Sequence, residues 1–243
     1  MSKLYIVGIG PGDEQNMTVA ADSVLRSAEV IIGYNVYVDL VKDRYPGKEF
    51  LTTPMTKEAV RCRMALDSAA SGKNTALICS GDSGVYGLAA LVYELRGEST
   101  EPEIEVVPGL TAACAGGALL GAPLTHDFAV ISLSDKLTPW EKIAARLECA
   151  AKGDFSIVLY NPVSKSRPDH LKKAVDILLT VLPPDRICGI ARNVGRENES
   201  SRIMTLGELR DAEADMFCTV FIGNATTEKI GENMVTPRGY KNV

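Results

Sequence analysis

Long apolar runs are missing from this sequence of 243 residues. No stretch approaches the ~20 apolar residues that a membrane-crossing helix needs. The N-terminus also lacks a basic segment followed by an apolar core and a cleavage site. A soluble, cytoplasmic protein is the expectation. Basic charge is not in excess: 26 Lys and Arg stand against 31 Asp and Glu, a formal charge of −5. That balance argues against a nucleic-acid binder, which would carry a basic patch or stripe, but leaves anionic small molecules open. The six cysteines, Cys62, Cys79, Cys114, Cys149, Cys188 and Cys218, never form a C-x-x-C pair. The spacings of zinc and iron–sulfur ligands are therefore absent, and no metal site is expected. Several sit in apolar runs, such as LICSG and TAACAGG, where a thiol packs as a small hydrophobe in a reduced protein. Histidine is scarce, with His126 and His170 alone.

What is present is an alternation of short β-rich runs with amphipathic stretches, the pattern of an α/β protein. Strands are predicted at 3–8, 28–32, 49–52, 75–79, 103–107, 128–133, 155–160, 186–192, 201–206 and 216–222. Helices are predicted near 18–27, 57–70, 84–96, 138–150 and 169–182. In the last, Leu171, Ala174, Val175, Leu178, Leu179 and Leu182 recur at helical spacing, and Pro183-Pro184 closes it. TPWE reads as a helix start, with Thr138 as N-cap, Pro139 at the first helical position and Glu141 closing a capping box. The last three strands follow one another closely, which predicts antiparallel pairing in the second half. A small-residue helix, TAACAGGALL, breaks at Gly121-Ala122-Pro123. The boundary is therefore placed between residues 122 and 123, giving two α/β domains (1–122 and 123–243), the second with a mixed sheet. A ligand cleft is expected between them.

Three glycine-rich loops follow predicted strands. The first, GIGPGDEQNMT, is spaced G-x-G-x-G where a dinucleotide fingerprint has G-x-G-x-x-G. Asp13 and Glu14 stand on the approach to the next helix, where they would repel a pyrophosphate. The turn is open to three readings: an atypical NAD(P) site, a tight turn needing glycine for steric reasons, or a loop lining a different ligand. The second, ICSGDSGVYG, places Gly81, Asp82, Gly84 and Gly87 after a strand. Asp82 is either a helix cap or a ligand contact. The third, VVPGLTAACAGG, turns at Pro108-Gly109 and sets Thr111 above the sheet.

Taken together, GIGPGD, SGDSGVYG and PGLTAA resemble the tetrapyrrole methylases, along the whole chain. The resemblance implies two α/β domains and an S-adenosylmethionine-dependent methyltransferase that releases S-adenosylhomocysteine. GYNVYVDL, LLGAPLTHDFAVISLSDKLTPWEKI and LYNPVSKSRPDHL are similar to the branch that methylates C17 of a corrin precursor with ring contraction. The substrate so implied is precorrin-3B or cobalt-precorrin-3, converted to precorrin-4 or cobalt-precorrin-4, in a homodimer of cobalamin biosynthesis. Another corrin-ring methyltransferase of the same fold, a non-catalytic tetrapyrrole carrier and an NAD(P)-dependent oxidoreductase are the alternatives.

The resemblance also implies site residues. Donor contacts fall on Pro11, Ser80, Gly81, Asp82, Val85, Thr111, Ala112, Asn161 and Gly195. Gly10, Tyr34, Tyr37, Ser132, Ser134 and Asp135 are expected against the macrocycle. Where sirohaem-type members carry an aspartate proposed as a base, this chain has Asn35, so that role does not transfer. His126 and Asp127 are the candidates for proton transfer, the alternative being a pair that fixes the interdomain link. His170 is expected to face solvent and Trp140 to anchor packing. Lys57, Arg61, Arg63, Lys136 and Arg167 are unranked candidates for gripping substrate carboxylates.

Overall fold

The computed structural model describes residues 2–240. Residues up to Thr111 form one compact unit and those from Ala112 onward another.

The first unit runs β1 (Lys3–Gly8), α1 (Val19–Ser27), β2 (Val30–Tyr34), α2 (Asn35–Val41), β3 (Glu49–Thr53), α3 (Glu58–Ala70), β4 (Thr75–Cys79), α4 (Ala89–Arg96) and β5 (Glu103–Val107). Its strands form one sheet in the order β3-β2-β4-β1-β5, and every pairing is parallel. Parallel strands covered on both faces read as nearly unbroken apolar runs, as YIVG, VII and ALIC do. Alternate side chains divide between two cores. Val7, Ile31 and Ile78 pack with Ala21 and Leu25 of α1 and Val38 and Val41 of α2. Leu4, Ile6, Ile32 and Leu77 pack with Cys62, Ala65 and Ala69 of α3 and Val92 of α4. Thr18 caps α1, its hydroxyl accepting from Ala21 N–H at 3.1 Å.

The second unit runs α5 (Ala112–Leu120), β6 (Gly121–Ala122), β7 (Phe128–Ser132), α6 (Trp140–Lys152), β8 (Ser156–Tyr160), α7 (His170–Leu178), β9 (Ile187–Arg192), β10 (Ser200–Thr205), α8 (Leu206–Leu209), β11 (Cys218–Ile222), β12 (Glu228–Ile230) and β13 (Asn233–Val235). Its main sheet has the order β10-β9-β11-β8-β7. Only β7 and β8 pair in parallel, and the closing strands are antiparallel as predicted. Helices α6, α7 and α8 cover one face through Ile143, Leu147, Leu171, Val175, Leu178 and Leu206. Helix α5 covers the other. A Cβ built on Gly116 would lie 3.1 Å from the Ala191 Cβ and 3.2 Å from the Phe221 ring. Gly116 thus seats α5 on β9 and β11, in the same unit as those strands. Strands β12, β13 and β6 form a separate small sheet.

Several boundaries differ from the sequence reading. Helix α4 begins at Ala89 and not near 84, because Ser80–Leu88 is spent on loop and turn; a Cβ on Gly87 would lie 2.3 Å from the Ser83 carbonyl oxygen. Helix α2 was not predicted at all. Helix α6 lacks the TPWE capping box: Pro139, extended at φ −55° and ψ 143°, is itself the N-cap and no side chain caps the helix. The capping box instead opens α8, where Thr205 and Glu208 bond reciprocally.

Candidate functional site

The strand order brings the three glycine loops together. β4, β1 and β5 are neighbours, with Gly8 opposite Cys79 and Val7 opposite Val107, so the loops that follow them leave the same edge of the sheet side by side. The carboxyl edge of a parallel sheet is where ligands bind in open α/β folds. The first two loops bond to each other through main chain. Gly10 N–H donates to the Gly81 carbonyl at 3.1 Å and Gly81 N–H to the Gly10 carbonyl at 2.8 Å. Both residues have positive φ, 79° and 69°. The third loop presses closer still: a Cβ on Gly109 would lie 2.1 Å from the Gly81 carbonyl oxygen. Glycine here is a steric requirement of three backbones in contact.

Asp82 resolves as a clamp. Its Oδ1 accepts from Gly84 N–H at 2.8 Å and Val85 N–H at 3.1 Å, and its Oδ2 accepts from Gly109 N–H at 2.9 Å. The carboxylate thus holds the second loop to the third. The acids of the first loop are also engaged: Asp13 accepts from Asn16 N–H at 3.2 Å, and Glu14 pairs with Arg44 at 2.7 Å. Thr18 Oγ1 donates to the Pro108 carbonyl at 3.2 Å, tying α1 to the third loop. Pro11 and Gly10 are buried in this arrangement, Ser80 and Thr111 half-buried, and Val85 exposed. A Cβ on Gly81 would meet nothing nearer than 3.9 Å. Beside Gly81 the loops therefore leave room, lined by main chain. Tyr34, at the end of β2, meets Tyr37 edge-on with ring centroids 5.2 Å apart.

In the second unit, the carboxyl ends of β7 and β8 carry another connected group. Ser132 and Tyr160 are register partners. Asn161, strained at φ 55°, donates through Nδ2 to Ser132 Oγ at 2.9 Å. Tyr160 Oη accepts from Ala113 N–H at 2.7 Å, joining the start of α5 to this edge. Arg167 donates to Ser134 Oγ at 2.5 Å and to Ser164 Oγ at 3.1 Å. Asp135 lies 3.1 Å from His170 Nε2 and 3.8 Å from Arg167 Nη1. Gly195 lies beyond β9, on the same edge as the end of β8, with its N–H donating to Glu199 at 2.6 Å.

His170 corrects the expectation of a solvent-facing side chain. It is 8% exposed and stacks edge-on against Trp140, centroids 4.8 Å apart. The imidazole beside Asp135 holds that carboxyl below its ordinary 3.8. His170 approaches Asp135 off the line of an aligned hydrogen bond, and its Nδ1 is buried without a partner among the described residues. Arg167 stands in the turn before α7, bridged to Ser164, so no helical spacing in the sequence signals that it and His170 meet at Asp135.

His126 and Asp127 are not brought to either group. They precede β7, at its amino end, opposite Ser132, with side chains 49% and 85% exposed. The His126 Nδ1 accepts from Asp127 N–H at 2.9 Å, a local turn contact. A pair this open to water lacks the shelter that tunes a proton-transfer group. Among the basic candidates, Lys57, Arg63 and Lys136 are exposed, Arg167 is largely covered and Arg61 is buried.

A doubly wound parallel sheet whose carboxyl edge carries three interlocked glycine loops, joined in the chain to a mixed α/β unit, is the architecture of a ligand-binding enzyme distinct from the dinucleotide-binding class. The chain belongs to the tetrapyrrole (corrin/porphyrin) methylases, the family that matches residues 3–210, whose members depend on S-adenosylmethionine. It is 43% identical, over 98% of its length and 99% of the relative's, to a probable cobalt-factor III C(17)-methyltransferase of Salmonella typhimurium. It is 40% identical, over 98% and 96%, to a precorrin-3B C(17)-methyltransferase of Sinorhizobium. The crystal structure of the methyltransferase CobJ superposes with a TM-score of 0.89 at 36% identity, covering 98% of this chain and all of that one. A uroporphyrin-III C-methyltransferase of Thermus thermophilus, solved with S-adenosylhomocysteine, shares the fold at 22% identity and a TM-score of 0.70.

Proposed function

We propose that this chain transfers the methyl group of S-adenosylmethionine to C17 of cobalt-factor III or precorrin-3B, with contraction of the macrocycle, in cobalamin biosynthesis. The observation that carries this reading is end-to-end identity of 40–43% to relatives named for that reaction. The interlocked loops support it, because room lined by main chain beside Gly81 fits a donor held by backbone groups.

When bound, the donor supplies an electrophilic methyl group on a sulfonium, which a ring carbon of the substrate displaces in line. The substrate is its own nucleophile, so the chain's task is positioning and exclusion of water. In this reading Pro11, Ser80, Gly81, Val85, Thr111 and Ala112 hold the donor chiefly through main chain, with Asn161 and Gly195 as further contacts. Asp82 acts indirectly, by fixing the loops. Gly10, Tyr34, Tyr37, Ser132, Ser134 and Asp135 border the macrocycle, and Arg167 grips a peripheral carboxylate. The enzyme works in the cytoplasm as a homodimer.

The test is anaerobic turnover of cobalt-factor III and precorrin-3B, each with methyl-labelled donor, followed by mass spectrometry. One added labelled methyl on either substrate supports the reading, and the substrate that reacts names its metal state. Intact macrocycle binding with no methyl transfer would establish a carrier instead.

A further inference from the structure

Arg61 is the one Arg, Lys, Asp or Glu that is buried among the described residues, at 4% exposure, and it has no acidic partner among them. It projects from the first turns of α3. Its Nη1 donates to Thr53 Oγ1 at 2.6 Å and lies 3.5 Å from the Thr53 and Pro54 carbonyl oxygens. Its Cζ stands 6.0 Å from the centre of the Tyr34 ring. Its Nε is buried with no hydrogen-bond partner, and Nη2 makes no hydrogen bond within the described residues. Tyr34 and Thr53 are register partners at the carboxyl ends of β2 and β3. This is the ligand-binding edge of the sheet that also carries the glycine loops.

A guanidinium is always charged, and taking it out of water without a counter-charge is costly. Two neutral carbonyls, a hydroxyl and an aromatic ring compensate one side of it. The other edge, Nε and Nη2, is the side-on fork that pairs with a carboxylate through two parallel hydrogen bonds. If Arg61 served only to tie α3 to β3, a neutral side chain would make the same contact to Thr53 without the cost of the charge.

We propose that Arg61 is a carboxylate-binding residue: a ligand carboxylate docks on its Nε–Nη2 edge, with Thr53 and Tyr34 fixing the plane of the guanidinium. The proposal rests on the functional reading above, which brings carboxylates from two sources, the acid side chains around the macrocycle and the amino-acid portion of the methyl donor.

The experiment compares full-length wild type with Arg61→Gln and Arg61→Lys. Cobalt-factor III binding is followed by anaerobic absorption titration, S-adenosylhomocysteine binding by calorimetry, and folding by thermal melts. Arg61→Gln is expected to weaken one of the two ligands by roughly 10- to 100-fold, the worth of a charge-assisted pair, and to leave the other within about twofold. The weakened ligand identifies the source of the carboxylate. Arg61→Lys, which keeps the charge and loses the fork, is expected to fall between. A folded Arg61→Gln that binds both ligands as wild type does would overturn the proposal, whatever its melting temperature. If Arg61→Gln does not fold, wild-type affinities in Arg61→Lys overturn it. Where only precorrin-3B is turned over, the titration uses precorrin-3B; wild-type protein that neither binds nor methylates either macrocycle instead refutes the functional reading, and the variants are then decided on S-adenosylhomocysteine alone.

Discussion

Three backbone N–H groups, from Gly84, Val85 and Gly109, share the carboxylate of Asp82. Hydrogen bonds to an ionised acceptor contribute about 1.5–3 kcal/mol each, and an amide in the same place offers only one accepting oxygen. Asp82→Asn is therefore expected to lower stability by about 2 kcal/mol in urea melts and to weaken S-adenosylhomocysteine binding, as the second loop loosens from the third. Unchanged binding would separate this clamp from the donor site. Asp135 gives a pH dependence. With His170 beside it the carboxyl titrates below its ordinary 3.8, so the folded state binds fewer protons than the unfolded one in that window. Stability then rises with pH through it. Asp135→Asn should be less stable than wild type at neutral pH, and the gap should close as the pH falls through and below the ordinary carboxylate range; a gap independent of pH would contradict the assignment. At His126 and Asp127 the sequence suggested chemistry that the fold does not shelter. His126→Asn is expected to keep kcat within about threefold, against the roughly 100-fold loss typical of a general acid or base. His170 shows the converse. A histidine followed by LKK reads as surface, because nothing local shows that Trp140 and Asp135 arrive from another element to cover it.

At the scale of elements, the parallel strands were legible because burial on both faces leaves almost no polar residue in YIVG, VII or ALIC. The closing antiparallel strands were legible from their short connections. Helix α2 was not, because seven residues following directly on a strand give no turn signal and too few repeats to show a period. The loops were half legible. Their glycines announced close approach, but that Gly8, Gly81 and Gly109 press on one another follows only from the order β4-β1-β5. The capping box was expected at Thr138 and occurs at Thr205, because Pro139 takes the N-cap conformation itself. At α8, backbone and hydroxyl groups of Thr205 hold the Glu208 carboxyl below its ordinary value. Thr205→Ala is expected to cost about 1 kcal/mol in urea melts. No loss would mean that tertiary packing alone sets the start of α8.

For the molecule as a whole, the family and the reaction were legible from stretches that no packing rule demands, HDFAVISLSDKLTPWE above all. The packing of α5 was not: that Gly116 seats this helix against Ala191 and Phe221 follows only from the fold. The proposed function is defined by its regiochemistry, methyl transfer to C17. The most direct measurement is therefore the position of the transferred carbon. Turnover with 13C-methyl donor, followed by NMR of the isolated product, is expected to place a single label at C17 of a contracted ring. A label at any other ring carbon, or a product with its ring uncontracted, would contradict the C17-methyltransferase assignment.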